Sequence, residues 1–272
     1  INGTVVYNKS GSQTFLQKTG LDASAQDILT YNNVTLSGTL TKTLALNTVV
    51  NGTLTISSGI TLADGGYTLT AKGNISNSGT HSGAGKIYLN SGSTTHTISG
   101  DGSGKFQNLE NNDSQGATLS VNQIIKGTLT MTSGNIALGG YTLTIGTGQS
   151  TPGSLSWTSG FFTGSGSLIR YFSNSDLPTS FSGDIGRFPM GNNTNDRTVL
   201  IAFSAASVTA GHYISISYSD ADGSTSVTSF TDGSLTIDKR SNANWTVDAS
   251  TSWNLSNGTT FSIQINAYGI GE

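Results

Sequence analysis

The sequence predicts an all-β chain, an N-terminal β-solenoid of the parallel β-helix kind followed by an antiparallel β-sandwich. Three observations carry that prediction. Apolar and polar residues alternate over short stretches, Gly punctuates those stretches, and one long segment occurs twice.

Alternation is the local signal. Leu54/Ile56, Ile60/Leu62, Leu69/Ala71, Leu129/Met131 and Leu143/Ile145 each skip one residue, the period of a strand with one buried face. Between them stand Ala63-Asp64-Gly65-Gly66 and Leu138-Gly139-Gly140, turn formers that tolerate positive φ. Helices have little to work with, because Glu occurs only at Glu110 and Glu272 and the chain holds 36 Gly among its 272 residues. Disorder is opposed by the 34% of hydrophobic residues, which alternation can gather on one face.

The repeat is the long-range signal. Gly52-Thr53-Leu54-Thr55-Ile56-Ser57-Ser58-Gly59 returns as Gly127-Thr128-Leu129-Thr130-Met131-Thr132-Ser133-Gly134, an offset of 127 − 52 = 75. Gly66-Tyr67-Thr68-Leu69-Thr70 returns as Gly140-Tyr141-Thr142-Leu143-Thr144. Upstream, Tyr31, Asn33 and Val34 meet Phe106, Asn108 and Leu109, while Leu44, Leu46, Asn47, Val49, Val50 and Gly52 meet Leu119, Val121, Asn122, Ile124, Ile125 and Gly127. Copies therefore span about 3–80 and 85–160, with a partial third start at 164–172 that opens on Gly166-Ser167-Leu168-Ile169-Arg170-Tyr171. Strands this short bury their faces when coils stack, so residues 1–172 form the expected solenoid. Two tandem β-sandwiches, one per copy, are the competing architecture.

A polar connection, Phe172 to Pro178, ends the repeats, and residues 173–272 are expected as a second domain. Its strands are longer: Val199/Ile201/Phe203, Ile214/Ile216/Tyr218, Leu235/Ile237 and Phe261/Ile263/Ile265/Ala267. Turn signals at Asp222-Gly223, Asp232-Gly233 and Asn257-Gly258 suit an antiparallel sandwich.

Composition narrows the function classes. Charged residues make up 10% of the chain, the formal net charge is −3, and Lys239-Arg240 is the only adjacent basic pair, so nucleic acid and membrane insertion are not expected. Absence of Cys excludes disulfides and thiolate chemistry. Ile1 opens almost directly into a strand pattern, as expected if a leader has been removed or the chain is an excised piece. Low charge with abundant Ser, Thr, Asn and Gly favours an extracellular place, on a bacterial cell surface.

The Gly-Thr-Leu-Thr units, then Gly166-Ser167-Leu168-Ile169-Arg170, then Phe188-Pro189-Met190-Gly191 with Arg197, then Trp245, resemble the repeat-bearing surface proteins secreted by Bacteroidota and Ignavibacteria-type bacteria. That resemblance implies a location and a structural role, and it transfers no catalytic residue.

Chemistry-bearing residues are few. His81, His96 and His212 show no metal-binding spacing and are expected in packing or surface roles. The 15 acids stand almost singly beside Gly, Ser or Asn, as turn formers do, which argues against the carboxylate pair of a β-helix polysaccharide-degrading enzyme. Asp220-Ala221-Asp222-Gly223 lacks the distal Glu of a calcium loop, and Asn192-Asn193-Thr194-Asn195-Asp196 is expected as a solvated loop. Thr39/Thr41, Thr53/Thr55, Thr68/Thr70, Thr128/Thr130 and Thr142/Thr144 flank a Leu and place hydroxyls outward wherever that Leu points in. Such ladders suit strand surfaces, and ice or sugar binding is the alternative. Trp157, Trp245 and Trp253 are expected in core or corner positions. No catalytic residue, cofactor or metal is expected.

Both ends look uncapped. A strand at Gly3-Thr4-Val5-Val6-Tyr7 begins near Ile1, and another at Phe261-Ser262-Ile263-Gln264-Ile265 lies near the C-terminus. The expectation is a non-enzymatic structural and adhesive protein that assembles head to tail by strand addition, through Val5, Val6, Tyr7, Phe261, Ile263 and Ile265. Expected partners are copies of itself or neighbouring domains of the same chain, with surface polysaccharide as a further candidate. A carbohydrate- or ice-binding module of a larger adhesin is the alternative function.

Overall fold

The computed structural model describes residues 3–16, 29–173, 175–192, 195–205, 212–219, 224–233, 235–241, 243–250 and 260–266. Strands and turns account for all of its regular structure, with no helix among the described residues. The repeats form one solenoid and not two sandwiches.

Each coil contributes three short strands. Coil 1 holds β1 (Thr4–Tyr7), β2 (Gln13–Thr14) and β3 (Leu29–Tyr31); coil 2 holds β4 (Asn33–Leu36), β5 (Thr41–Thr43) and β6 (Thr48–Val50). Coil 3 holds β7 (Leu54–Ile56), β8 (Thr61–Ala63) and β9 (Thr68–Ala71); coil 4 holds β10 (Ile75–Asn77), β11 (Thr80–Ser82) and β12 (Lys86–Leu89). Coil 5 holds β13 (His96–Ser99), β14 (Lys105–Phe106) and β15 (Leu109–Asn112); coil 6 holds β16 (Ala117–Leu119), β17 (Gln123–Ile125) and β18 (Thr128–Ser133). Coil 7 holds β19 (Ile136–Ala137), β20 (Thr142–Ile145) and β21 (Ser154–Trp157), and β22 (Phe162–Thr163) and β23 (Ser167–Tyr171) begin an eighth.

Three parallel sheets result. The first runs β1-β4-β7-β10-β13-β16-β19-β22, the second β2-β5-β8-β11-β14-β17-β20-β23, and the third β3-β6-β9-β12-β15-β18-β21. Register stacks like on like: Val34, Leu54, Ile75, Ile98 and Leu119 form one inward column of the first sheet, each almost fully buried. Each such side chain contributes roughly 1.5–3 kcal/mol of burial.

The sequence repeat and the coil are different periods. Leu54 lies in β7 and its counterpart Leu129 in β18, eleven strands on (18 − 7). The three openings at Thr4, Lys86 and Ser167 are β1, β12 and β23, again eleven apart. Eleven is not a multiple of three, so each copy starts on a different sheet from the last. The unit that repeats in structure is therefore one strand with its corner, roughly seven residues (75 over eleven strands).

The corner explains the motif. Asn33 Oδ1 accepts the Thr53 amide at 2.7 Å one coil on, and Asn108 Oδ1 accepts the Thr128 amide at 3.0 Å. Asn47 does the same for Thr68 and Asn122 for Thr142, both at 2.9 Å. Gly must precede Thr53 and Thr128, since a Cβ on Gly52 would lie 2.2 Å from Asn33 Oδ1, and one on Gly127 2.6 Å from Asn108 Oδ1. In the paired-glycine turns Gly65, Gly66, Gly139 and Gly140 all have φ between 61° and 87°, the left-handed region that other residues enter at a cost.

The lower end is closed by rings. Tyr7 stacks on Phe15 with centroids 4.4 Å apart, Tyr31 meets both edge-on, and the Tyr7 and Tyr31 hydroxyls lie 2.6 Å apart. The sequence shows no cap there because three aromatics scattered over 25 positions (31 − 7 + 1) meet only in the fold.

At the upper end the ladder turns antiparallel. β26 (Tyr213–Ser219) pairs with β23, and β29 (Asn244–Ala249) with β26, so the second sheet runs on past Phe172. A second layer comprises β24 (Arg187–Phe188), β25 (Val199–Phe203) and β30 (Phe261–Ile265), and β27 (Ser224–Asp232) and β28 (Leu235–Ser241) form a hairpin. Ile214, Ile216 and Tyr218 of one layer and Val199, Ile201 and Phe203 of the other belong to the same buried cluster as the solenoid column. The first sheet stops where the Phe162 amide donates to Pro189 O at 2.8 Å. The third stops where the Trp157 amide donates to Asp184 Oδ2 at 2.9 Å, under the Arg187 guanidinium. The expected turns at Asp222-Gly223 and Asn257-Gly258, and Ala267, lie outside the described residues.

Candidate functional site

Polar side chains buried in the shaft are fastenings between coils. His81, in coil 4, has Nε2 2.9 Å from Asp64 Oδ2 in coil 3, and its Nδ1 accepts the Gln107 amide of coil 5 at 3.3 Å. A ring that accepts on Nδ1 donates from Nε2, so His81 is neutral. Burial pushes its pKa below the ordinary value, and the pull of Asp64 does not restore it. Asp64 Oδ1 also accepts the amides of Gly66 and Gly85 at 2.7 and 2.8 Å.

His96 works differently. Nδ1 lies 2.8 Å from Gly73 O and Nε2 3.0 Å from Asp113 Oδ2, so an acceptor faces each ring nitrogen. Burial alone would raise the Asp113 carboxyl, but the Gln115 and Gly92 amides and the His96 ring outweigh it and hold it below the usual carboxylate range. Asp64, His81 and His96 have essentially no solvent exposure.

The acids close turns. Asp64, Asp101, Asp113 and Asp196 each accept, on Oδ1, the amide two residues on, at 2.7–2.9 Å. No group of three or more potential metal ligands occurs among the described residues. Asp220-Ala221-Asp222-Gly223, Asn193, Thr194 and Trp253 lie outside them. Trp157 and Trp245 are partly buried against the core, as expected of corner residues.

The threonine pairs do not build one face. Thr53/Thr55 flank Leu54 on the first sheet, Thr68/Thr70 and Thr128/Thr130 lie on the third, and Thr142/Thr144 on the second, because eleven strands rotate the pattern. A shallow groove of about 330 Å³ does open on the third sheet, between Asn47, Thr68, Thr70, Lys86 and Tyr88. The Tyr88 hydroxyl there accepts the side-chain amides of Asn90 and Asn112 at 3.0 and 2.6 Å.

Apolar exposure is concentrated elsewhere. Among the described residues the large exposed hydrophobics are Val6, Leu16 and Leu40 on coils 1 and 2, Phe181, Ile185, Phe261, Ile263 and Ile265 beyond coil 7, and between these groups only Tyr67 and Tyr141. Of the residues singled out for assembly, Val6 is 48% exposed on β1, Val5 is partly buried against the core, and Tyr7 is inside the aromatic cap. Among the described residues β1 pairs only with β4 and ends the first sheet, and β30 pairs only with β25 and ends its layer. Phe261, Ile263 and Ile265 are 37%, 41% and 40% exposed on that edge.

Sequence reading missed Leu40. The Thr39/Thr41 pair places it inward, yet it is 61% exposed. The cause is Lys42, which stands in the apolar column under Leu62 and is fully buried. Its ammonium donates to Lys9 O, Gly11 O and Thr39 O at 2.8, 2.9 and 3.1 Å. With the Thr39 carbonyl turned in, Leu40 takes φ 61° and its side chain turns out, a backbone conformation that costs a side-chain-bearing residue about 1–2 kcal/mol.

Comparison with protein-family models, with curated proteins and with solved structures finds no match to this chain.

Proposed function

We propose that this protein is a non-enzymatic structural and adhesive rod of the bacterial cell exterior, joined end to end by strand addition. The observation that supports this most is the distribution of exposed apolar side chains, at both ends and almost absent from the shaft. Ends of that kind associate, whereas a hydroxyl- and amide-covered shaft stays solvated. The two edges, β1 and β30, each have one strand neighbour among the described residues, at the same places. An end that meets a different end generates filaments rather than closed rings. Extracellular placement rests on the low charge, the Ser/Thr/Asn/Gly-rich surface and the resemblance to secreted repeat proteins.

Light scattering across a concentration series, with electron microscopy of the same samples, tests the proposal. Growing species and fibres are the expected outcome, together with loss of both in Ile263→Lys. A wild-type chain that stays monomeric at the highest concentration ends it.

A further inference from the structure

We propose that Leu40 is an anchor residue of the end-to-end contact, seated in the half-open core beside β30 of a second copy. This rests on the filament reading above and adds to it the side chain that inserts and the trough that receives it.

Leu40 is both exposed and held in place. Its position in the column is that of Ile60 one coil on, since Thr41 pairs with Thr61, and Ile60 is buried. The neighbouring left-handed corners are occupied by glycines, Gly38 at φ 80° and Gly59 at φ 76°. Gly or Asn would meet the backbone requirement at Leu40 without steric conflict. Lys42 fixes the Thr39 carbonyl beneath it, so the projecting side chain belongs to an ordered corner. Strain of this kind, at an exposed position with no internal use, is where a contact with something else is to be sought.

The receiving surface lies at the other end. Val199, Ile201 and Phe203 of β25 stand opposite Ile265, Ile263 and Phe261 of β30, so all six share one face. Their β25 members are buried, while the β30 members keep more than a third of their surface exposed, which leaves an apolar trough along an edge with no further strand among the described residues. Neither Ser37–Thr41 nor Phe261–Ile265 contains a charge. Leu40 cannot fill the trough of its own molecule, because coil 2 and coil 8 are six steps of roughly 4.8 Å apart, about 30 Å. A second copy presents the trough without that obstacle.

The test compares the 272-residue wild type with Leu40→Asn and Leu40→Met by sedimentation velocity and thermal melting. Asn accepts a left-handed backbone but offers no apolar anchor; Met keeps the anchor. Expected are an assembly midpoint at least tenfold higher in Leu40→Asn with an undiminished melting temperature, and a near wild-type midpoint in Leu40→Met. Wild-type assembly that Leu40→Asn leaves unchanged overturns the anchor and spares the filament. A Leu40→Asn chain that loses assembly only together with thermal stability assigns Leu40 to the fold and also overturns the anchor. No assembly of any chain overturns both.

Discussion

Coils 3 to 5 and coils 1 and 2 are built from the same kind of strand and corner, yet they treat polar groups in opposite ways. In the middle coils a buried His is fastened to the coils on either side, as His81 is to Asp64 below and Gln107 above. Coil 1 has a coil on one side only, and coil 2 next to it sets Lys42 between Gln13 and Leu62. There Lys42 takes the place of an aliphatic residue and gathers three carbonyls, three aromatic rings close the bore, and Leu40 is turned out. The difference teaches that an interior coil is specified by what stacks on both faces of it, and an end coil by how its unmatched backbone is satisfied.

The largest expected effect tests the lower end. Lys42→Leu places an aliphatic side chain beneath Leu62, and by burial alone it would stabilise the chain. It also removes the ammonium donor from Lys9 O, Gly11 O and Thr39 O; Lys9 O keeps the Gly11 amide, and each acceptor left without a partner costs about 1–3 kcal/mol. A net loss of roughly 2 kcal/mol in urea unfolding is expected after the gain in apolar burial is set against it. A Lys42→Leu chain as stable as the wild type would show that the ammonium is tolerated and not used.

The middle coils are tested by acid. His81 has a folded-state pKa below its unfolded one, so the folded chain binds fewer protons, and this contribution to stability is lost as pH falls below about 6.5. Asp113 is held low in the fold, so its contribution is present above about 3.9 and is lost as pH drops through the folded value. Stability should therefore decline in two steps, the first absent from His81→Asn and the second retained. Lys126, whose charge also disfavours the His81 cation, belongs to the same local balance. A wild-type urea midpoint flat between pH 7 and 5 contradicts this assignment.

Much of the architecture was legible in the residues. Period-two pairs such as Leu54/Ile56 located strands, Gly65-Gly66 and Gly139-Gly140 located corners, and the matched Asn33/Asn108 and Asn47/Asn122 proved to be the amide caps of the following coil. What stayed hidden depends on counting strands. β14, β19 and β22 are two residues long and carry no readable alternation, so the eleven-strand period, and with it the scattering of threonines over three faces, emerges only from the pairing. Lys42 reads as a surface residue because the three carbonyls that accept its protons lie in backbone, where side-chain identity leaves no trace. His81 and His96 each meet an Asp 17 positions away, across a coil whose length the sequence does not display.

The smallest effect bears on whether the strand with its corner is the true unit. Asn47 and Asn122 are both exposed, each caps the amide of a Thr one coil on at 2.9 Å, and they precede strands of different sheets, β6 of the third and β17 of the second. If each corner is self-contained, Asn47→Ala and Asn122→Ala should each cost about 0.5–1 kcal/mol, by equal amounts. More than three coils separate them, roughly 17 Å at 4.8 Å per coil, so the double variant should lose the sum. Unequal costs would mean that the sheet a corner sits on matters more than the corner itself, and the middle coils would then be three distinct walls rather than one element wound around an axis.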